Sequence, residues 1–287
     1  MKHINVKGIA CDVIPFLINI TNEINLKLLY CSNNLNIMKK FTSTLVLAML
    51  TFCAIAQQKV LFKLAPTSNA PIKYEMINKM DIEGPQTIIM DMIMHMNLSF
   101  NEHQDSLLNI VGKYTYAKID LDAGMMTASY DSSKEPANEM EKAFAAQFSP
   151  LLENELTYTM NKFGQIKDVE FPNVSDQIFD KSSVTSFGVA YPSYAIAVGE
   201  SWTANNKMEK LGLSANAKYT FVEKNDQGYK VDCDITMEDA SGNAVGTSKG
   251  HFIVHPKTFI TVSSSTVTNV EMQGAKVQTT TELKEVK

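Results

Sequence analysis

The residues best suited to chemistry by type and spacing are four methionines. Met90, Met92, Met94 and Met96 alternate within "IMDMIMHMNLSF", and Leu98 and Phe100 continue the row. Methionine is unbranched and polarizable, so on an extended strand such a row makes an apolar wall that adapts to ligands of different shape. A second chemistry is Cu(I) binding, because thioethers and the imidazole of His95 are soft enough ligands. On a strand, however, His95 points away from Met94 and Met96, and no cysteine joins them. The third reading is core packing in a chain whose AT-rich coding sequence uses many ATG codons.

Other candidates are weaker. His251 and His255 in "HFIVH" would share an ion on a helix, but Phe252, Ile253 and Val254 favour a strand. There, positions i and i+4 lie about 13 Å apart. His103 falls in a polar loop. "GESW" lacks the second glycine of a nucleophile elbow. The acids of "KIDLDAG" and "DCDITMED" alternate, as calcium ligands or a solvated strand face would. Trp202, the single tryptophan, suits a core or barrel end with its N–H on a carbonyl. No glycine-rich phosphate cradle occurs. The expectation is no catalytic residue, no metal site and no cofactor.

Those methionines must sit on something, and the chain's composition constrains what. From Met38 the chain reads as an export signal: Lys39 and Lys40, the apolar run Phe41 to Phe52, then Ala54-Ile55-Ala56. Cleavage after Ala56 would leave Gln57 as the first mature residue. A lipid anchor on Cys53 is disfavoured by the bulky Phe52 before it. Residues 1–37 show no sustained period and read as a non-native upstream extension; their apolar patch Val13 to Ile20 is too short to span a bilayer.

All 26 basic residues other than histidine are lysine. The leader carries +3 of the overall −5, so the mature chain is at −8. Nucleic acid and anionic membrane are poor partners for such a surface. Without a guanidinium, the usual bidentate clamp for phosphate is also missing. Cys11, Cys31 and Cys53 precede the cut, so Cys233 stands alone in the mature chain. A buried small residue is its expected role.

Read at period two, the mature chain is mostly strand. "IKYEMINKMDI" and the methionine segment flank "EGPQ", a turn. In a hairpin there, keeping both apolar rows on one face requires partner numbers with an even sum. A sum of 170 places Met80 opposite Met90, Met76 opposite Met94 and Tyr74 opposite Met96. Further strands are "LLNIVGKYTYAKIDLD", "GMMTASYD" and a hairpin in "ELTYTMNKFGQIKDVEF" turning at Gly164. A helix from 136 to 152 starts at Pro136 and buries Met140, Phe144, Phe148 and Leu151 or Leu152. Ser175 or Asp176 would cap a short second helix. Strands then follow at about 202–211, 215–224, 229–238, 246–255, 258–271 and 274–286, with turn clusters between them.

An ordered set of segments carries a resemblance: "KYEMINKMDI", "SYDS", "LTYTMNKFGQIKDVE", "YPSYAIAVGESW", "AKYTFVE" and "GTSKGHFIVHPKTFITVSSS". Together these resemble an uncharacterised family of exported bacterial proteins known as a domain of unknown function, over almost all of the mature chain. More distantly, long strands around a helix are similar to the half-barrel of periplasmic lipoprotein carriers, LolA-like and LppX-like. That likeness implies a concave apolar face holding acyl chains.

The expected fold is mainly β: a large curved antiparallel sheet or tandem half-barrels, with one or two helices on the concave face. The expected units are 57–195, a half-barrel with the helix, and 196–287, an antiparallel β unit. The expected role is non-enzymatic: an exported periplasmic, outer-membrane-associated or secreted protein without an integral membrane span. It would bind a lipid or lipoprotein acyl chain against Tyr74, Met76, Met80, Met90, Met92, Met94, Met96 and Phe100. The alternatives are a structural or interaction module with a packed methionine face, and Cu(I) binding.

Overall fold

A computed structural model describes residues 59–67, 70–102, 107–172, 174, 189–208, 212–272 and 274–286. The leader and the expected second helix lie outside them. Twelve strands follow in order: β1 (Ile72–Glu83), β2 (Ile88–Glu102), β3 (Leu107–Asp122), β4 (Thr127–Asp131), β5 (Leu156–Asn161), β6 (Ile166–Glu170), β7 (Ser201–Met208), β8 (Leu213–Asn225), β9 (Gly228–Asp239), β10 (Ala244–Val254), β11 (Thr261–Met272) and β12 (Ala275–Val286). One helix among the described residues, α1 (Glu139–Glu153), interrupts them after β4.

All twelve strands form one antiparallel sheet, ordered β6-β5-β3-β2-β1-β12-β11-β10-β9-β8-β7, with β4 also pairing β3. It ends at β6 and β7 and does not close into a barrel. β1 pairs with β12 along nearly its whole length, so strands from both expected units belong to the same sheet.

The β1–β2 register is the one the apolar rows require: Tyr74 faces Met96, Met76 faces Met94 and Met80 faces Met90. The alternate residues lie on the outer face, where Glu75 meets Lys284 at 2.6 Å and His95 at 3.5 Å. Beside the methionine row, alternation breaks in β3. Met94 pairs with Ala117 but Met96 pairs with Tyr114, so a bulge at Thr115 and Tyr116 shifts the register. Inward residues are Leu108, Ile110, Gly112 and Tyr114 before it, and Ala117 and Ile119 after it.

Helix α1 begins three residues after Pro136, because Asn138 caps it. The Asn138 side chain accepts from the Glu141 N–H at 2.9 Å, while Glu141 accepts from the Ala137 N–H at 2.7 Å. This reciprocal pairing satisfies donors a helix start leaves open. The helix packs on β3 and β4, with Phe144 and Phe148 against Tyr130.

Two buried clusters occupy the inner face. One surrounds Phe62, which is fully buried and meets the rings of Tyr191, Trp202, Phe221, Tyr229 and Phe259. The segment carrying Phe62 is tied to the loop before β7 by paired bonds between Val60 and Ile196. The other cluster joins Met76, Met94, Tyr114, Ile119 and Tyr130 to the apolar side of α1.

Candidate functional site

Between the clusters lies a cavity of about 330 Å³. Every strand except β4 contributes to its lining, so strands far apart in the sheet face one another across it. The sheet must therefore curl strongly. Glycine permits this at the β10–β11 seam: a Cβ on Gly250 would lie 2.0 Å from the Ser265 oxygen and 2.7 Å from the Thr266 Cα. No side chain fits where β11 folds onto β10.

The expected site residues divide between cavity and core. Tyr74, Met76, Met96 and Phe100 line the cavity. Met90, Met92 and Met94 belong instead to the cluster that includes Phe144, Phe148, Leu151 and Leu152 of α1. Met80 is half-buried beyond them, opposite Met90. The row thus leaves the cavity as it runs under the helix.

Sequence reasoning missed the remaining wall. Tyr114, Tyr158 and Tyr219 line it, together with Ala217, Ile235 and Phe252. Burial pushes the Tyr114 and Tyr219 phenols up to about 12, and raises Tyr74, Tyr158 and Tyr191 as well. These side chains are neutral at ordinary pH. Two of the phenols also brace the walls: Tyr74 donates to the Thr261 carbonyl at 2.7 Å, and Tyr191 to the Phe259 carbonyl at 3.0 Å. Phe259 is held at φ 56°, an unfavourable conformation for a bulky residue, with its N–H on the His255 carbonyl at 2.9 Å.

The cavity can do little acid–base or nucleophilic chemistry. Its lining contains no Asp, Glu, Lys, His or Cys. Cys233 is buried beside it, and burial, then the nearby Asp232, raises its thiol to about 11. That is opposite to the activation a nucleophilic thiol needs. His95 lies on the outer face with its ring 4.8 Å from Tyr116, away from the thioethers. His255 closes a turn, its Nδ1 accepting from the Lys257 and Thr258 N–H groups at 3.3 and 3.2 Å. Among the described residues no group of three or more His, Cys, Asp or Glu is placed to hold a metal. Trp202 plugs the aromatic end, its indole N–H on the Ala190 carbonyl at 2.7 Å.

No family model matches the chain, and no curated protein matches it significantly. The likeness is to solved structures. A lipovitellin structure described for its lipid–protein interactions aligns over 77% of this chain at 10% identity, with a TM-score of 0.51. This chain spans about a quarter of that one, 25%. An outer membrane lipoprotein-sorting protein domain from Vibrio parahaemolyticus aligns over 74% of this chain and 85% of its own, at 10% identity and a TM-score of 0.23. A DUF1329 family protein from Desulfovibrio piger aligns over 76% and 86%, at 9% identity and a TM-score of 0.21. The lipovitellin likeness is one of fold.

Proposed function

We propose that this is an exported, non-enzymatic envelope protein that holds an apolar ligand, a lipid or lipoprotein acyl chain, within the curl of its sheet. The observation that carries the reading is the cavity itself: about 330 Å³, walled mostly by aromatic, aliphatic and thioether side chains with some serine and threonine, and with no charged residue in its lining. Its size falls in the range of small-molecule sites. Burial of apolar surface at about 25 cal/mol per Å² supplies affinity without ion pairing. The lipovitellin-like fold agrees with such a use, and the leader from Met38 to Ala56 supports export.

Helix α1 supports a second role for part of the methionine row. Met90, Met92 and Met94 pack with Phe144 and Phe148, as they would in a structural core. The binding surface is therefore centred on Tyr74, Met76, Met96 and Phe100. Native mass spectrometry of gently purified protein tests the proposal: an apolar adduct lost on mild activation supports it. A ligand-free protein that ignores fluorescent fatty acyl probes contradicts it.

A further inference from the structure

The cavity is apolar at both sides but not across its middle. Following the strand register inward from β1, Asn78 faces Thr281, Thr281 faces Thr266 and Thr266 faces Gly250. One row along, Thr279 faces Thr268, and Thr268 faces Ser248. Ser264 lies in the neighbouring row between Leu283 and Phe252. Hydroxyls thus form a band over β12, β11 and β10, flanked by Met76 and Met96 on one side and Ala217, Ile235 and Met237 on the other. Threonine has nearly the shape of valine, so a wholly apolar lining was sterically open at the same strand positions.

The band is partly self-satisfied. Thr268 donates to Ser248 at 2.8 Å and Thr281 to Asn78 at 2.7 Å. Ser248 is only 5% exposed and lines the cavity. The hydroxyls of Ser264 and Thr266 have no such partner among the described residues, although both residues line the cavity. Both hydroxyls are reachable from the cavity, so a wholly apolar ligand seated there would bury them without a partner at a cost, and a polar ligand atom beside them removes that cost. An ionised ligand group would find no counter-charge in the lining.

We infer that the ligand is an uncharged amphiphile whose hydroxyl or ester oxygens meet Ser264 and Thr266 while its chain lies on the apolar banks. An acylglycerol has this chemistry; a fatty acid anion or a phospholipid headgroup does not. The inference rests on the proposed binding role and specifies its ligand class.

Calorimetric titration of the full chain with monodecanoylglycerol and with decanoate, both below their micelle concentrations, tests it. The variants are Ser264→Ala with Thr266→Val, and Thr280→Val on the outer face of β12 as a control. Thermal melting monitors their folding. The expected result is tighter binding of monodecanoylglycerol than of decanoate. The inner-face variant should weaken monodecanoylglycerol about three- to tenfold while leaving decanoate and the control unchanged. Equal binding of both ligands, or no effect of the inner-face variant, overturns the inference and leaves the apolar cavity standing. Binding of neither ligand overturns the binding role as well.

Discussion

The phenol of Tyr74 on β1 donates a 2.7 Å hydrogen bond to the backbone carbonyl of Thr261, the first residue of β11, although β12 runs between the two strands. Strands two apart in a flat sheet are separated by about 9.6 Å, and side chains stand away from the sheet surface. The bond therefore reports how far the sheet curls at the cavity. Tyr74→Phe keeps the ring and strands the carbonyl. Urea denaturation should register a loss of about 1 kcal/mol; an unchanged midpoint would mean that the bond does not brace the curl.

Gly250 and Gly112 make a matched test of the curl's steric origin. An added Cβ at Gly250 meets backbone at 2.0 Å, whereas at Gly112 the closest atom is the flexible Leu98 Cδ2 at 3.2 Å. Gly250→Ala should cost at least about 3 kcal/mol, Gly112→Ala under about 1.5 kcal/mol. Melting temperatures in the reverse order would remove the seam from the account.

Phe62 and Phe148 probe the two clusters. Phe62 is fully buried among five aromatic rings, so Phe62→Ala should destabilise by about 3–5 kcal/mol. Phe148 is half-buried on α1, and its truncation should cost less, about 1–2 kcal/mol. Affinity for an apolar ligand should survive the second change, since Phe148 is outside the cavity lining. Abolished binding in folded Phe148→Ala would move the site under the helix.

Alkaline pH acts on the buried phenols. Tyr74, Tyr114, Tyr158, Tyr191 and Tyr219 all have folded values raised above the ordinary 10.0 by burial. Above pH 10 the unfolded chain therefore loses protons that the native state retains, and native stability falls as pH rises. Each phenol contributes a slope of about 1.4 kcal/mol per pH unit until its folded value is reached. Denaturation midpoints at successive pH values should stay level with respect to these groups through neutrality and drop steeply beyond pH 10. A drop removed by Tyr191→Phe alone would show that one phenol dominates.

Much of this architecture was legible because strand alternation is a local signal. The even-sum register of Tyr74, Met76 and Met80 with Met96, Met94 and Met90 follows from keeping two apolar rows on one face. The parity change at Thr115 and Tyr116 was not, since a bulge leaves both flanking stretches looking like ordinary strand. Phe62 carries no periodic context, and its burial depends on contacts with Tyr191, Phe221 and Phe259 far along the chain. For the same reason the row of methionines could not be divided in advance. Met76 reaches both the cavity and the α1 cluster, whereas Met92 packs in the cluster and is not in the cavity lining, because of where the helix lies. The start of α1 moved from Pro136 to Glu139 because Asn138 and Glu141 form a cap, a signal present in the sequence but outweighed there by the proline.

The space between Met76 and Ala217 is the seat proposed for the apolar molecule. Ala217 is buried and lines the cavity, so Ala217→Phe fills that space from β8 without touching the methionine row. Titrating the neutral fluorophore N-phenyl-1-naphthylamine into folded wild-type and Ala217→Phe protein measures occupancy directly. Saturable one-site binding by the wild type, weakened at least about tenfold in the filled variant, is the predicted result. Absence of binding to the wild type, or equal binding to both, would mean that this space holds no apolar ligand.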